Sequence, residues 1–415
     1  MRIAIIGSGI AGLTCAYLLS RRHDVTVFEA ADWIGGHTHT VDVQSGGQQY
    51  AVDTGFIVFN DWTYPHFIRL LDQLNVASRP TEMSFSVHDP RSGFEYNGHD
   101  LNTLFAQRSN LLSAGFWGML RDIVRFNRKA IADLENKRID DATTLGGYLQ
   151  MQGYGQRFID HYIVPMGSAI WSMSRADMLG FPLQFFVRFC RNHGLLSVSN
   201  RPQWRVIEGG SRSYLAPLCK PFAERIRLNC PVRRVSRDEG GVTVLSAAGS
   251  ERFDSVVFAC HSDQALALLE APSADERAVL GAITYASNDV VLHTDTRLLP
   301  KRHKAWASWN YRLGGPQQAP AALTYAMNIL QGIDAPVTFC VSLNQTALVD
   351  PTQILARFDY AHPQYSLVAL AAQARQDELQ GRQHSYYCGA YWGNGFHEDG
   401  VVSALKVADF FGEGL

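Results

Sequence analysis

Four consecutive apolar residues at positions 3–6 run into a glycine, and behind them the spacing turns helical, with Leu13, Ala16, Tyr17 and Leu19 forming a stripe that stops at Arg21 and Arg22. A short unbroken apolar run predicts a strand buried on both faces of a parallel sheet, followed here by a helix. A second run, residues 25–28, ends at Glu29, and residues 50–55 read as a further strand. From 61 to about 200 the pattern is helical, with amphipathic stretches at 65–74 and 111–134 and helix-like segments at 155–163 and 181–193. A helix is predicted at 215–222, then strands at 232–236, 241–245 and 253–260. Residues 290–293, 305–309, 322–327 and 337–343 alternate like strands of an antiparallel sheet, and a terminal helix is predicted over 401–411.

Between the first strand and the first helix lies Gly7-Ser8-Gly9-Ile10-Ala11-Gly12, a G-x-G-x-x-G. Gly7 permits the tight turn, Gly9 lets a pyrophosphate approach the backbone, and Gly12 lets the helix pack close to the strand. The helix N-terminus then faces phosphate charge. Glu29, at the end of the second strand, is placed to accept the ribose hydroxyls of an adenosine and would repel a 2′-phosphate, which disfavours NADP.

Composition narrows the classes further. The 415 residues have 46% hydrophobic content and a net charge of -2, which leaves no electrostatic excess for wrapping nucleic acid, so no such partner is expected. Seven scattered cysteines without a C-x-x-C pair fit a reducing cytoplasm better than a disulfide framework or a zinc site. Residues 3–20 carry no charge and are flanked by arginines, as in a signal anchor, but three glycines within six residues weaken that reading in favour of the nucleotide turn. No tandem repeat or low-complexity linker separates the units, so the domains are expected to be interleaved.

Six residues after Glu29 comes Gly35-Gly36, followed by His37. The glycine-rich turn, the carboxylate and this pair together resemble the flavin amine-oxidase superfamily, in which such a pair lies against the FAD pyrophosphate. Many members have Arg where this chain has His37, which supplies less charge. The phrases GGHTHTVDV, VDTGFIVFN, MGSAIWSMS, RPQWRVIEGGSRSY and CGAYWGNGFHEDG more narrowly resemble a bacterial subgroup of NAD/FAD-binding oxidoreductases associated with cyclopropane-fatty-acid synthase-like methyltransferases. The resemblance implies an α/β fold: a Rossmann-type, glutathione-reductase-like FAD domain of residues 1–60, 201–280 and 385–415, interleaved with an α+β substrate domain of residues 61–200 and 281–384. It implies non-covalent FAD on Gly7, Gly9, Ile10, Ala11 and Gly12, on Glu29 and Ala30, and on Gly35, Gly36 and His37. Further contacts are implied at Thr54 and Gly55, at Val232, and in the C-terminal segment at Gly389, Glu398, Gly400 and Val401. Glu398 and Asp399 add negative charge where a reduced flavin would form, so one of them is expected to turn away or to bond a ribityl hydroxyl.

A single nucleotide fingerprint leaves no seat for a nicotinamide reductant, so the flavin is expected to be reduced by an organic substrate. Trp306, Trp309, Tyr311, Tyr391, Trp392 and Phe396 are the candidate walls of its pocket. Neither Lys301 nor Lys304 can be matched to the lysine that reaches flavin N5 in amine oxidases, which favours a hydrophobic or lipid substrate, a fatty-acyl chain above all, over an amine. His37 and His39 could ligate metal in principle, but no third ligand lies at suitable spacing, so no metal is expected. No catalytic side chain is assigned, because the chemistry is flavin-centred. The basic amphipathic stretch 111–134 is expected to be a core-facing helix, with peripheral membrane contact as the alternative reading. A flavin-bearing scaffold for a methyltransferase is the non-enzyme alternative.

Overall fold

The computed structural model describes residues 1–197, 199–316 and 318–415. Its first layer grows from the apolar runs. The strands β1 (Arg2–Ile6) and β2 (Asp24–Phe28) pair in parallel, joined by the helix α1 (Ile10–Leu19). They sit at the centre of a five-stranded sheet ordered Ile226–Arg227, β2, β1, Ser255–Phe258, Ser385–Tyr387, in which every pairing is parallel. Parallel strands need long crossovers that cover both faces, and Ile3, Ala4 and Ile5 are accordingly fully buried. One face packs on α1 and the terminal helix His397–Asp409, and the other on the antiparallel meander Val232–Asp238, Gly241–Ser246 and Gly249–Phe253.

The second layer is a seven-stranded sheet ordered Ile354–Gln364, Thr284–His293, Cys340–Leu343, Leu323–Ala326, Trp309–Arg312, Phe85–Asp89, Phe94–Asn97. Its pairings are antiparallel except where Trp309–Arg312 meets Phe85–Asp89. Helices from residues 101–192 cap one end around a cluster that includes Phe116, Phe126, Phe158, Phe181 and Phe186.

The structure departs from the sequence pattern in several places. The 61–200 stretch is not wholly helical: Ser78–Pro80, Phe85–Asp89 and Phe94–Asn97 are strands. Their alternation is hidden because the polar positions are buried too; the Ser86 hydroxyl, for instance, donates to Asn310 inside the sheet. The strand expected at 305–309 begins instead at Trp309, after a short turn of helix at His303–Ala305. The helix expected over 215–222 ends at Cys219, where Pro221 opens a tighter turn. The terminal helix starts four residues early, at His397, because the Asp399 carboxylate accepts the Phe396 N–H at 2.9 Å and caps it.

Candidate active site

The turn between β1 and α1 is built on close approaches. Gly7 has φ +106, and a Cβ there would lie 2.8 Å from the Ala259 carbonyl oxygen. At Gly12 a Cβ would lie 2.0 Å from the Gly7 carbonyl oxygen, so this glycine is what lets α1 sit against the strand. At Gly9 the opposite holds: a Cβ would meet nothing within 4 Å, and the missing side chain opens a cradle above the first turn of α1. The Gly35 N–H donates to the Ser8 carbonyl at 2.9 Å, which lays the glycine pair alongside Gly9. Glu29 closes one end. It accepts the Ser8 N–H at 3.0 Å, the Ser8 hydroxyl at 2.6 Å and the Ala31 N–H at 2.9 Å, which fixes the carboxylate in place with lone pairs to spare for a further donor.

From this cradle a cavity of about 660 Å³ runs to the inner face of the seven-stranded sheet. The expected cofactor residues Gly7, Gly9, Ile10, Ala11, Glu29 and Ala30 line it, as do Gly35, Gly36, His37, Gly55, Val232 and Gly389. Gly12 stands behind the turn rather than in the wall. Four other expected contacts lie elsewhere. The Thr54 hydroxyl bonds Tyr360 and His39. The Glu398 carboxylate turns to the start of the helix Pro65–Gln73, accepting the N–H of His66 at 3.0 Å and of Phe67 at 2.8 Å. Gly400 is consumed by packing on α1, since a Cβ there would lie 2.7 Å from Ile10, and Val401 is buried in the core beneath.

The far end of the cavity is largely apolar and aromatic. Phe56, Ile57 and Val58 form one wall, Ala169, Ile170 and Trp171 a second, and Trp309, Tyr325, Leu330, Tyr365, Tyr391 and Phe396 much of the remainder, with Ser172 and Asn394 as polar members of the lining. Of the six pocket residues read from the sequence, Trp309, Tyr391 and Phe396 are in the lining and three are not. The Trp306 indole N–H donates to the Pro300 carbonyl at 2.8 Å, holding the ring in a separate small cluster. Tyr311 is on the same strand face as Trp309 but one pleat further on, in the helical core. Trp392 packs into the core behind the parallel sheet. Sequence reasoning missed Trp171, which a helical pattern cannot distinguish from core, and Tyr365 and His362, at the end of the strand Ile354–Gln364; the alternation of Ile354, Ala356, Phe358 and Tyr360 was the available signal.

The electrostatics of the lining are nearly neutral. Glu29 is its only carboxylate, at the adenosine end, and no lysine or arginine enters it among the described residues. Three histidines gather where the two ends meet: the His37 ring centroid is 5.5 Å from that of His362 and 6.0 Å from that of His261. Burial pushes His37 and His261 down to about 4 and His362 to about 3, so all three are uncharged near neutral pH. The His362 Nδ1 bonds the Ser172 hydroxyl at 3.0 Å, and the His37 Nε2 is buried with no protein partner, as expected of a side chain that meets a bound group. The terminal helix presents its N-terminus to the cavity through His397; the Glu398 carboxylate is turned to the helix Pro65–Gln73, while the Asp399 carboxylate caps the N-terminus at the Phe396 N–H and offsets part of the helix dipole there.

A parallel sheet with a glycine cradle, a carboxylate at the end of its second strand and an adjoining, largely apolar chamber has the form of a dinucleotide-binding fold. The chain belongs to the flavin containing amine oxidoreductase family, whose model matches residues 10–325. A protein of Mycobacterium tuberculosis assigned as a flavin-containing monoamine oxidase, AofH, is 25% identical over 278 residues, which cover 62% of this chain and 56% of that one. The chain thus spans about half the length of the curated relatives it matches. The 15-cis-phytoene desaturase of Synechococcus elongatus is 36% identical over 88 residues, or 21% of this chain and 18% of the enzyme. In fold, the chain is similar to the solved structure of a fatty acid isomerase from P. acnes that produces CLA, with a TM-score of 0.69, 16% identity and coverage of 99% and 98% of the two chains.

The residues present fit FAD. The Gly9 cradle would hold the pyrophosphate and Glu29 the ribose, and the His37 Nε2, without a protein partner, would be free to meet the bound group. Bound there, the flavin supplies a two-electron acceptor for hydride. No helix among the described residues is long and apolar enough to cross a membrane.

Proposed function

We propose that the protein is an FAD-dependent oxidoreductase that takes hydride from a C–H bond of a hydrophobic chain, with fatty-acyl chains as the substrate class. The observation that carries this reading is the substrate end of the cavity, walled by aliphatic and aromatic side chains with neutral histidines and without a carboxylate. Each buried CH₂ gains on the order of 0.8 kcal/mol in such a chamber, whereas a buried ammonium needs an opposite charge or a full set of acceptors. The protein's own part is to position the chain, exclude water and keep neutral imidazoles around the reacting bond. Lys301 and Lys304 lie outside the chamber, so neither acts in it. None of the residues of the 114–135 helix lines the chamber.

Oxidation of a hydrophobic amine is the second reading, favoured by the family match and by the aromatic character of Trp171, Trp309 and Tyr325, which could cage a neutral amine. Anaerobic mixing of the holoprotein with acyl chains and with alkylamines of matched length separates the two. Bleaching of the flavin by the acyl chains is the expected result, and bleaching by the amines alone would replace the first reading with the second.

A further inference from the structure

The helix Ala114–Glu135 buries Phe116, Met119, Phe126 and Ala130 in the helical core, as its pattern predicts, yet its exposed side also carries apolar side chains. Trp117 and Val124 are exposed, and so are Leu101, Leu111 and Leu112 just before the helix; among the described residues, five of the fifteen large exposed apolar side chains fall within residues 101–124. Leu112 is 93% exposed and Trp117 51% exposed. The Trp117 indole N–H donates to the Leu111 carbonyl at 2.9 Å and its ring lies 5.5 Å from that of Phe105, so the exposed ring is held rigidly. Apolar groups concentrated in this way mark a contact surface rather than scattered exposure.

Charge identifies the partner. Trp117, Arg121, Val124 and Arg128 follow one another at spacings of four, three and four, which place them on one helix face, and all four are exposed. The other charges of the helix are paired: Arg125 with Asp122 at 3.5 Å, Lys129 with Asp133 at 3.3 Å and Glu135 with Arg191 at 2.9 Å. Arg121 and Arg128 enter no ion pair among the described residues. Both aspartates of the helix are buried, so its exposed face carries only positive charge until Glu135 at its end.

We propose that this face is a docking surface for an anionic lipid bilayer, with Leu101, Leu111, Leu112 and Trp117 entering the interface and Arg121 and Arg128 meeting the headgroups. Aromatic and aliphatic tips beside unpaired arginines along one helix are the arrangement of an interfacial helix. Exposure and charge give the face this role whichever substrate the chamber takes.

The test is co-sedimentation of the flavin-loaded protein with vesicles of phosphatidylcholine alone and of equal parts phosphatidylcholine and phosphatidylglycerol. Binding to the anionic vesicles, weakened by salt, is expected. Changing Arg121→Gln and Arg128→Gln together should cost about fivefold in partitioning per arginine, and Leu112→Ser with Trp117→Ser should reduce binding to both vesicle types. Leu367→Ser with Val368→Ser, exposed on another helix, should bind as the parent does, and a retained flavin spectrum checks the fold of every variant. No binding to anionic vesicles, or binding indifferent to the Leu112 and Trp117 changes, would overturn the proposal. So would self-association of the parent that those two changes abolish, which would make the face a protein interface.

Discussion

Gly9 and Gly12 occupy the same glycine-rich turn but should fail in different ways when replaced by alanine. At Gly9 the backbone sits at φ −70 and ψ 178, which alanine adopts freely, and the added Cβ meets no protein atom within 4 Å. The apoprotein of Gly9→Ala should therefore melt within about 1 kcal/mol of the parent, a small loss at the helix cap offset by a stiffer unfolded chain. Its FAD affinity should collapse, because the methyl group stands in the cradle. Displacing two charge-assisted hydrogen bonds of at least 1.5 kcal/mol each costs about 3 kcal/mol, a factor near 150 in Kd. Gly12→Ala places its Cβ 2.0 Å from the Gly7 carbonyl oxygen and 3.0 Å from the Ala259 Cβ, and both neighbours directly follow interior strands of the parallel sheet. The helix must then move by about an ångström, at roughly 1–3 kcal/mol or more, and the apoprotein itself should melt early. Thermal melts of the two apoproteins, with titration of FAD by quenching of its fluorescence, give both quantities. Parent-like FAD affinity in Gly9→Ala, or a parent-like melt in Gly12→Ala, would refute the division of labour.

Glu29→Ala should weaken FAD by a few kcal/mol, since two ribose hydroxyls bonded to a charged acceptor are worth about 1.5–3 each; unchanged retention in the same titration would remove the carboxylate from the site. Glu398→Ala should instead leave FAD affinity unaltered and lower the melting temperature, because it uncaps the helix that starts at Pro65 and costs about 1–2 kcal/mol. Stability should also fall on acidification from pH 6.5 toward 4. His88, His193 and His293 are each held by burial at about 4 in the fold against about 6.5 when unfolded, so each contributes stability above 6.5 that is lost as pH falls, up to about 3 kcal/mol apiece. Burial raises Asp53 and Asp399 to about 6, and these two oppose the trend over nearly the same window, but are outnumbered. Chemical denaturation across that range measures the slope, and a flat profile would count against neutral buried histidines.

The N-terminal half of the site was legible because each requirement falls on a residue type that little else explains. A tight turn, a phosphate cradle and a close helix contact each need glycine, and the strand end needs a carboxylate. The substrate end was legible only in part. Trp306, Trp309 and Tyr311 look alike in sequence, and what separates them is whether the helix Val164–Trp171, the cavity or a neighbouring loop covers each ring, which is a matter of tertiary packing. Glu398 shows the same limit from the other side: an acidic residue in the first turn of a helix is legible, but its choice between the cofactor and the neighbouring helix is made by Pro65–Gln73 docking beside it. The buried strands at 85–89 and 94–97 escaped because their polar side chains face inward to bond one another, which erases the alternation that marks a half-exposed sheet.

The central claim is that the cavity holds FAD without a covalent bond. Cys260, the one cysteine in its lining among the described residues, has its thiol pushed up to about 12 by burial, which keeps it protonated near neutral pH. Acid precipitation of the purified protein, followed by chromatography of the supernatant, tests this most directly. One FAD per chain in the supernatant is the predicted result; FMN, no flavin, or flavin that stays with the precipitated protein would contradict the account.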